Sequence, residues 1–337
     1  MKISILIFIL LGLGRMAAAQ TTHNLLDSNI IYIHDKPVSR QSQQIQRLFS
    51  FIGQKRRMEK TMRAKLLKKQ PATAAKLPKS LRKKANITIS EIDNHKIWTI
   101  RPKANLSKNK PSDKRILYIH GGAYVHNILK YHWQFLEDLL DKTGATLIIP
   151  DYPLAPKANY IGVYGLLSKL YAQLLAADIS PQNIIFMGDS AGGGLALGFG
   201  QALKEENLPQ PAEIVLLSPW LDISMDNAEL NGIDKQDKML SIVGLQLAGA
   251  AYAGDLPLKN SRLSPIYGDM SGLGKISIFT GSHDLLIVDA RQLKAILLAK
   301  NISFNYFEYP KLFHAFMIFT KLAESKHVLA QISLIVE

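Results

Sequence analysis

The sequence predicts an α/β fold, a doubly wound and mostly parallel sheet of about eight strands with a helical lid. Three features of its 337 residues predict this. Six short apolar runs alternate with helical patterns from Arg115 onward, each with the length and uniform hydrophobicity of a strand buried on both faces. The pentapeptide Gly188-Asp189-Ser190-Ala191-Gly192 stands between one such run and a small-residue helical stretch, so the chain turns sharply at Ser190. A glycine turn, His120-Gly121-Gly122-Ala123-Tyr124, closes an earlier run.

The first residues read as a leader. Lys2, the apolar run Ile3 to Leu13 and Ala17-Ala18-Ala19 before Gln20 have the order of a signal peptide, so residues 1–19 are expected to be removed on export to the periplasm or outside the cell. The apolar run is shorter than the roughly 20 residues that span a bilayer. Arg15 departs from the usual pattern, and an uncleaved leader would leave the protein membrane-anchored. Residues 20–85 then form a basic helical segment contributing to the lid. Its helical pattern runs from Gln41 to Gln70, Pro71 ends it, and a connector containing Pro and Lys follows from Ala72 to Lys84.

Residues 86–337 are expected to form the α/β domain. Strands are expected at Ile87 to Glu91, Lys96 to Arg101, Arg115 to His120, Ala145 to Pro150, Asn183 to Gly188, Glu213 to Ser218, Lys275 to Thr280 and Ser303 to Tyr309. Helices are expected at Tyr131 to Lys142, Tyr160 to Ala176, Ala191 to Asn207, Asp289 to Lys300 and from about Lys321. The stretch at about 220–265 breaks the alternation. It carries its own helix, Ile242 to Tyr252, and is too long for a simple crossover, so it is expected to fold over the carboxyl ends of the strands as a lid.

The G-x-S-x-G turn makes a serine into a nucleophile by holding it where neighbouring Cβ atoms have no room. Its hydroxyl then needs a base, and the base needs a carboxylate to orient it. In a doubly wound sheet both come from loops at the carboxyl ends of later strands. Asp284 follows the run Lys275 to Thr280, and His314 follows the run Ser303 to Tyr309, which gives the chain order Ser190, Asp284, His314. His283 lies beside Asp284 but too early for the base, Asp289 is expected to cap a helix, and Glu308 falls inside a strand. His23, His34, His95, His126, His132 and His327 show no metal-ligand spacing and read as surface or structural. Phe313, Phe316, Met317 and Phe319 crowd around His314, where they could line an acyl pocket, although a stripe at that spacing is more often core.

Taken together, these motifs resemble the hormone-sensitive-lipase-like branch of the α/β-hydrolases, which includes many bacterial carboxylesterases. The resemblance rests on His120 to Ala123, Asp151 to Pro156, Gly188 to Gly193, Asp284 and His314, and covers the chain from about Lys96 to its end. It implies a serine carboxylesterase with Ser190 as nucleophile, His314 as base and Asp284 as orienting acid. It also implies an oxyanion hole from the N–H groups of Gly121, Gly122 and Ala191, with Ala123 beside them. Two positions depart from the family pattern: Ala123 stands where many members have a third glycine, and Pro153 where an arginine is common. Lipase, amidase or deacetylase chemistry would use the same groups, and a receptor-like binder would have lost the histidine.

With no cysteine in the chain, disulfides, a cysteine nucleophile and a thiolate metal site are all excluded. The expected chemistry needs neither metal nor cofactor, only a small-molecule ester. The formal charge is +14, and most of the excess lies between Lys55 and Lys84, where Glu59 is the single acid. No aromatic interleaving accompanies this charge, so it reads first as a solvated helix face and not as a nucleic-acid site. Weak association with an anionic membrane surface is the second reading.

Overall fold

The computed structural model describes residues 29–68, 73–103 and 112–337. The leader expected over residues 1–19 lies outside the described residues, as does His23. Nine strands form one sheet: β1 (Ile30–Ile33), β2 (Ala85–Ile92), β3 (His95–Pro102), β4 (Arg115–Ile119), β5 (Thr146–Pro150), β6 (Ile184–Asp189), β7 (Glu213–Leu217), β8 (Lys275–Gly281) and β9 (Phe304–Tyr309). Their spatial order is β1-β9-β8-β7-β6-β4-β5-β3-β2. Strand β2 runs antiparallel to β3 and β3 antiparallel to β5, while all other pairs are parallel.

The apolar runs earn their place by serving both faces of the sheet. Alternate side chains of a strand point to opposite sides. In β4, Ile116 and Tyr118 enter one core cluster while Leu117 and Ile119 enter the other, and β6 divides Ile185 and Met187 from Ile184 and Phe186 in the same way.

In chain order the helices are α1 (Arg40–Phe51), α2 (Gln54–Lys68), α3 (Lys79–Lys84), α4 (Lys130–Thr143), α5 (Tyr160–Ala176), α6 (Ala191–Glu205), α7 (Leu230–Asp234), α8 (Ile242–Ala253), α9 (Ile287–Ala299) and α10 (Ala323–Val336). The faces of α4 and α10 bearing Trp133, Leu136, Val328 and Ile332 fill the first cluster; those of α5, α6 and α9 bearing Leu167, Leu195 and Leu293 fill the second. Helix ends follow local chemistry. The Asn159 side chain accepts the Ile161 N–H at 3.1 Å to start α5, and Gly144 at φ 66° closes α4 in the left-handed conformation.

Three features differ from the sequence reading. Strand β1 was not expected; it pairs in parallel with β9 and completes the hydrogen bonding of that edge. The helix expected from Gln41 to Gln70 is two helices, because Gly53 adopts φ 62° and the Ile52 and Gly53 N–H groups fold back onto Leu48 and Ser50. The connector at 72–84 ends in α3, whose Leu81 is fully buried.

The side chain of Phe49 in α1 packs on Phe313 and Phe319 at ring separations of 5.5 and 6.3 Å. Helix α2 lies against α8. Both helices therefore sit over the carboxyl ends of the central strands.

Candidate active site

Ser190 joins β6 to α6 with φ 54° and ψ −122°, a conformation that costs a non-glycine residue free energy and persists only where its surroundings enforce it. The enforcement is visible. The Ser190 N–H donates to the Leu217 carbonyl at 2.9 Å, and the Ser190 carbonyl accepts the Trp220 N–H at 3.0 Å. The flanking glycines are steric necessities: a Cβ on Gly188 would land on the Gly192 carbonyl, and one on Gly192 would land on the Ile119 carbonyl. Ser190 is nearly buried, and what remains exposed borders a cavity of about 380 Å³.

His314 borders the same cavity. Its Nδ1 lies 3.1 and 3.0 Å from the two carboxylate oxygens of Asp284, which is itself fully buried and accepts the Leu286 N–H at 2.9 Å. With Nδ1 donating to the carboxylate, Nε2 is the ring nitrogen left to take a proton. Burial disfavours the charged ring, but the charge and hydrogen bond of Asp284 outweigh it, and the His314 pKa is raised above 6.5. The loop is pinned where Ala315, at φ 49°, donates its N–H to Ser218 Oγ at 3.1 Å.

The anion-binding groups differ in part from the expected set. The Gly121 N–H donates to Asp189 Oδ1 at 2.9 Å and so does not face the cavity as a free donor. Gly122 and Ala123 do border the cavity, at φ 127° and 52°, in a loop curled by the Val125 and His126 N–H groups closing on the Gly122 carbonyl at 3.1 and 2.9 Å. In the first turn of α6 the Gly193 and Gly194 N–H groups close on the Ser190 carbonyl at 3.0 and 3.2 Å. The Ala191 N–H precedes them and has no acceptor within the helix. The candidate donors therefore become Gly122 and Ala191, with Ala123 adjacent.

A buried polar cluster holds this loop in place. Asp189 takes hydrogen bonds from the Tyr118 hydroxyl at 2.6 Å and the Gly121 N–H at 2.9 Å, and His132 Nε2 lies 3.2 Å from its Oδ2. Burial pushes the Asp189 carboxyl up, yet His132, Tyr118 and Gly121 together pull it down to about 2. His120 donates from Nδ1 to the Gly121 carbonyl at 2.8 Å and stacks on Tyr152 at 4.4 Å, and the Tyr152 hydroxyl donates to the His120 carbonyl at 2.8 Å. Burial lowers the His120 pKa to about 4, so the ring is neutral.

The remaining sequence candidates lie elsewhere. His283 sits in a separate groove with Lys311 and does not border the cavity. Asp289 does not cap its helix; its Oδ2 accepts the Leu221 and Asp222 N–H groups at 2.8 and 2.9 Å, and burial pushes its carboxyl up to about 7. Glu308 is ion-paired to Arg291 at 2.6 Å. Phe313, Phe316 and Met317 are core residues, and from this loop Ala315 and Ile318 border the cavity instead. The main apolar wall comes from Met58 and Met62 of α2, Leu245 of α8, and Met239 and Leu240 before it.

Sequence reasoning missed three groups. Asp237 is buried beside Asp284. His132 was one of several unremarkable histidines until folding set it 3.2 Å from Asp189. His126 borders the cavity and receives Lys65 Nζ at 2.7 Å; burial, then the Lys65 charge, lower its pKa to about 4. Only long-range geometry joins these pairs, and no local spacing announces them.

Comparison with known proteins agrees with this architecture. A family model described as an alpha/beta hydrolase fold matches residues 116–318. An esterase of Acinetobacter venetianus is 31% identical over 220 residues, 65% of this chain and 73% of that protein. An acetyl-hydrolase of Streptomyces hygroscopicus is 29% identical over 60% of this chain and 67% of its own. A solved hormone-sensitive lipase from a metagenome library superposes with a TM-score of 0.73 at 24% identity, over 88% of this chain and 97% of that one, a likeness of fold. The chain belongs to the hormone-sensitive-lipase-like family of α/β-hydrolases, a family of esterases and lipases.

Proposed function

We propose that this protein is a serine carboxylesterase for short- to medium-chain esters. One observation carries the reading: the strained Ser190 and the Asp284-paired His314 open onto a single cavity whose other walls are largely apolar. His314 Nε2 takes the Ser190 proton as Oγ attacks the ester carbonyl. The N–H groups of Gly122 and Ala191 stabilise the oxyanion, and Asp284 stabilises the imidazolium. Collapse expels the alcohol, which takes the proton back from His314. Water, deprotonated by the same ring, then releases the carboxylic acid and restores the Ser190 hydroxyl.

Helix α2 and the 220–265 segment act in this reading as a cap that shapes the acyl site, since Met58, Met62, Leu240 and Leu245 form its wall. The leader-like first residues support export.

The test is hydrolysis of p-nitrophenyl esters from acetate to palmitate by wild type and Ser190→Ala. The reading expects turnover that peaks at short or medium chains and disappears in the variant. Turnover that survives Ser190→Ala, or folded wild type inert on every ester, would sink it.

A further inference from the structure

The inner face of α2 is occupied, since Met58, Thr61 and Met62 border the cavity and Lys65 meets His126. Arg56, Lys60, Arg63 and Leu67 recur at helical spacing on the opposite face, and all four are exposed. Leu67 is 83% exposed, and Phe51, just before the Gly53 elbow, is 89% exposed. Single exposed apolar residues are ordinary. Here one, Phe51, closes α1 just ahead of the elbow and the other, Leu67, stands near the far end of α2, a helix roughly 20 Å long that carries the cations.

The charge on this face is balanced only in part within the protein. Glu59 is held by Arg63 at 3.0 Å, and Asp234 by Lys55 at 2.6 Å. Of the other cations of α2, Arg56, Arg57 and Lys60 make no ion pair among the described residues. Arg57 also borders the cavity that Ser190 faces, so the cationic face and the mouth of the cavity are continuous.

We propose that the outer face of α2, with Phe51 just ahead of it and Leu67 near its far end, docks on an anionic lipid surface and holds the mouth of the Ser190 cavity against it. A basic helix with apolar residues at its margins lies in the bilayer interface, where rings and aliphatic chains enter the acyl boundary and cations meet lipid phosphates. A nucleic-acid duplex would satisfy the cations but keeps its bases stacked on one another and offers Phe51 and Leu67 no apolar surface, so a lipid surface fits the face better. Docking is independent of Ser190 chemistry; only its consequence, delivery of an amphiphilic ester to the cavity, rests on the esterase reading.

The test is co-sedimentation of the full chain with vesicles of phosphatidylcholine alone or equimolar with phosphatidylglycerol. It uses wild type, Ser190→Ala, Phe51→Ser and the double variant Arg56→Glu/Lys60→Glu. The expected result is extra binding to the anionic vesicles that is unchanged in Ser190→Ala. It should weaken about tenfold or more in the double variant and disappear at about 1 M salt, where the screening length shrinks to about 3 Å. Phe51→Ser should also weaken it. The two surface variants should match wild type in thermal melting and in turnover of p-nitrophenyl butyrate without vesicles, showing that they fold. Equal binding to neutral and anionic vesicles, surface variants that bind like wild type, or retention of duplex DNA without vesicle binding would each overturn the proposal.

Discussion

The carboxylate of Asp237 accepts the Leu285 N–H at 2.8 Å, one residue beyond Asp284. Its other oxygen accepts the N–H groups of Met239 and Leu240 at 2.6 and 2.8 Å, and both of those residues border the cavity. One buried side chain thus ties the wall of the substrate site to the loop that carries the acid. Burial, and then the charge of Asp284, push the Asp237 carboxyl up to about 6.

Asp237→Asn should therefore act on both the site and its titration. An amide cannot accept all three N–H groups, because its NH₂ end would face a donor, and an unpaired buried N–H costs about 1–3 kcal/mol. Asp237 is also one of the negative charges that raise the His314 pKa. The variant should lose stability, and the acid limb of its kcat/KM–pH profile should move to lower pH. If the acid limb stays where it is in wild type, Asp237 has no electrical connection to His314.

A second prediction concerns Asp284. With the ring buried and paired to a carboxylate 3.0 Å away, the neutral base that catalysis needs forms only as pH rises through a pKa above 6.5. Activity should climb through that value, and Asp284→Asn should shift the climb downward while lowering kcat about 10⁴-fold, because the amide favours the wrong tautomer. Single-turnover measurement of acylation across pH reads both. A variant within tenfold of wild type would remove Asp284 from the mechanism.

Asp189 bears first on stability. Its folded pKa is depressed to about 2 from an ordinary 3.8, so it contributes stability at neutral pH that is lost as pH falls through about 2. The contribution is on the order of 2 kcal/mol. Asp189→Asn should melt below wild type at neutral pH, and the gap should close as pH drops from about 4 to about 2. A gap that is the same at both ends of that window would mean the charge contributes nothing.

How much of this was legible follows from how local each signal is. Ser190 stood out because the elbow needs glycines within two residues on each side, a constraint written into consecutive positions. Asp284 and His314 stood out because strand order places the loops after β8 and β9 at one edge of the sheet. The family resemblance names Gly121 as a donor, and nothing local shows that Asp189, 68 positions away, takes its N–H. Strand β1 escaped for a similar reason: four residues at 30–33 become a strand only because β9 presents an open edge. The break at Gly53 could have been read, since glycine inside a helical pattern is a standing invitation to the left-handed conformation.

The last prediction concerns chain length. Met62 is 1% exposed, belongs to the core cluster and still borders the cavity, so its thioether both supports α2 and fills space an acyl chain could use. Truncation to alanine should cost about 2–5 kcal/mol, with the cost set by how far α2 relaxes into the gap. If α2 stays in place, the freed volume joins the cavity and the optimum on p-nitrophenyl esters moves to a longer acyl chain. Met62→Trp should move it to a shorter one by filling the same volume. Thr61, exposed at the same wall, supplies the control, because Thr61→Ser changes little volume and should leave the optimum alone. Opposite shifts in the two Met62 variants would assign the acyl chain to the α2 side of the cavity. An unchanged optimum in both would take Met62 out of the acyl site.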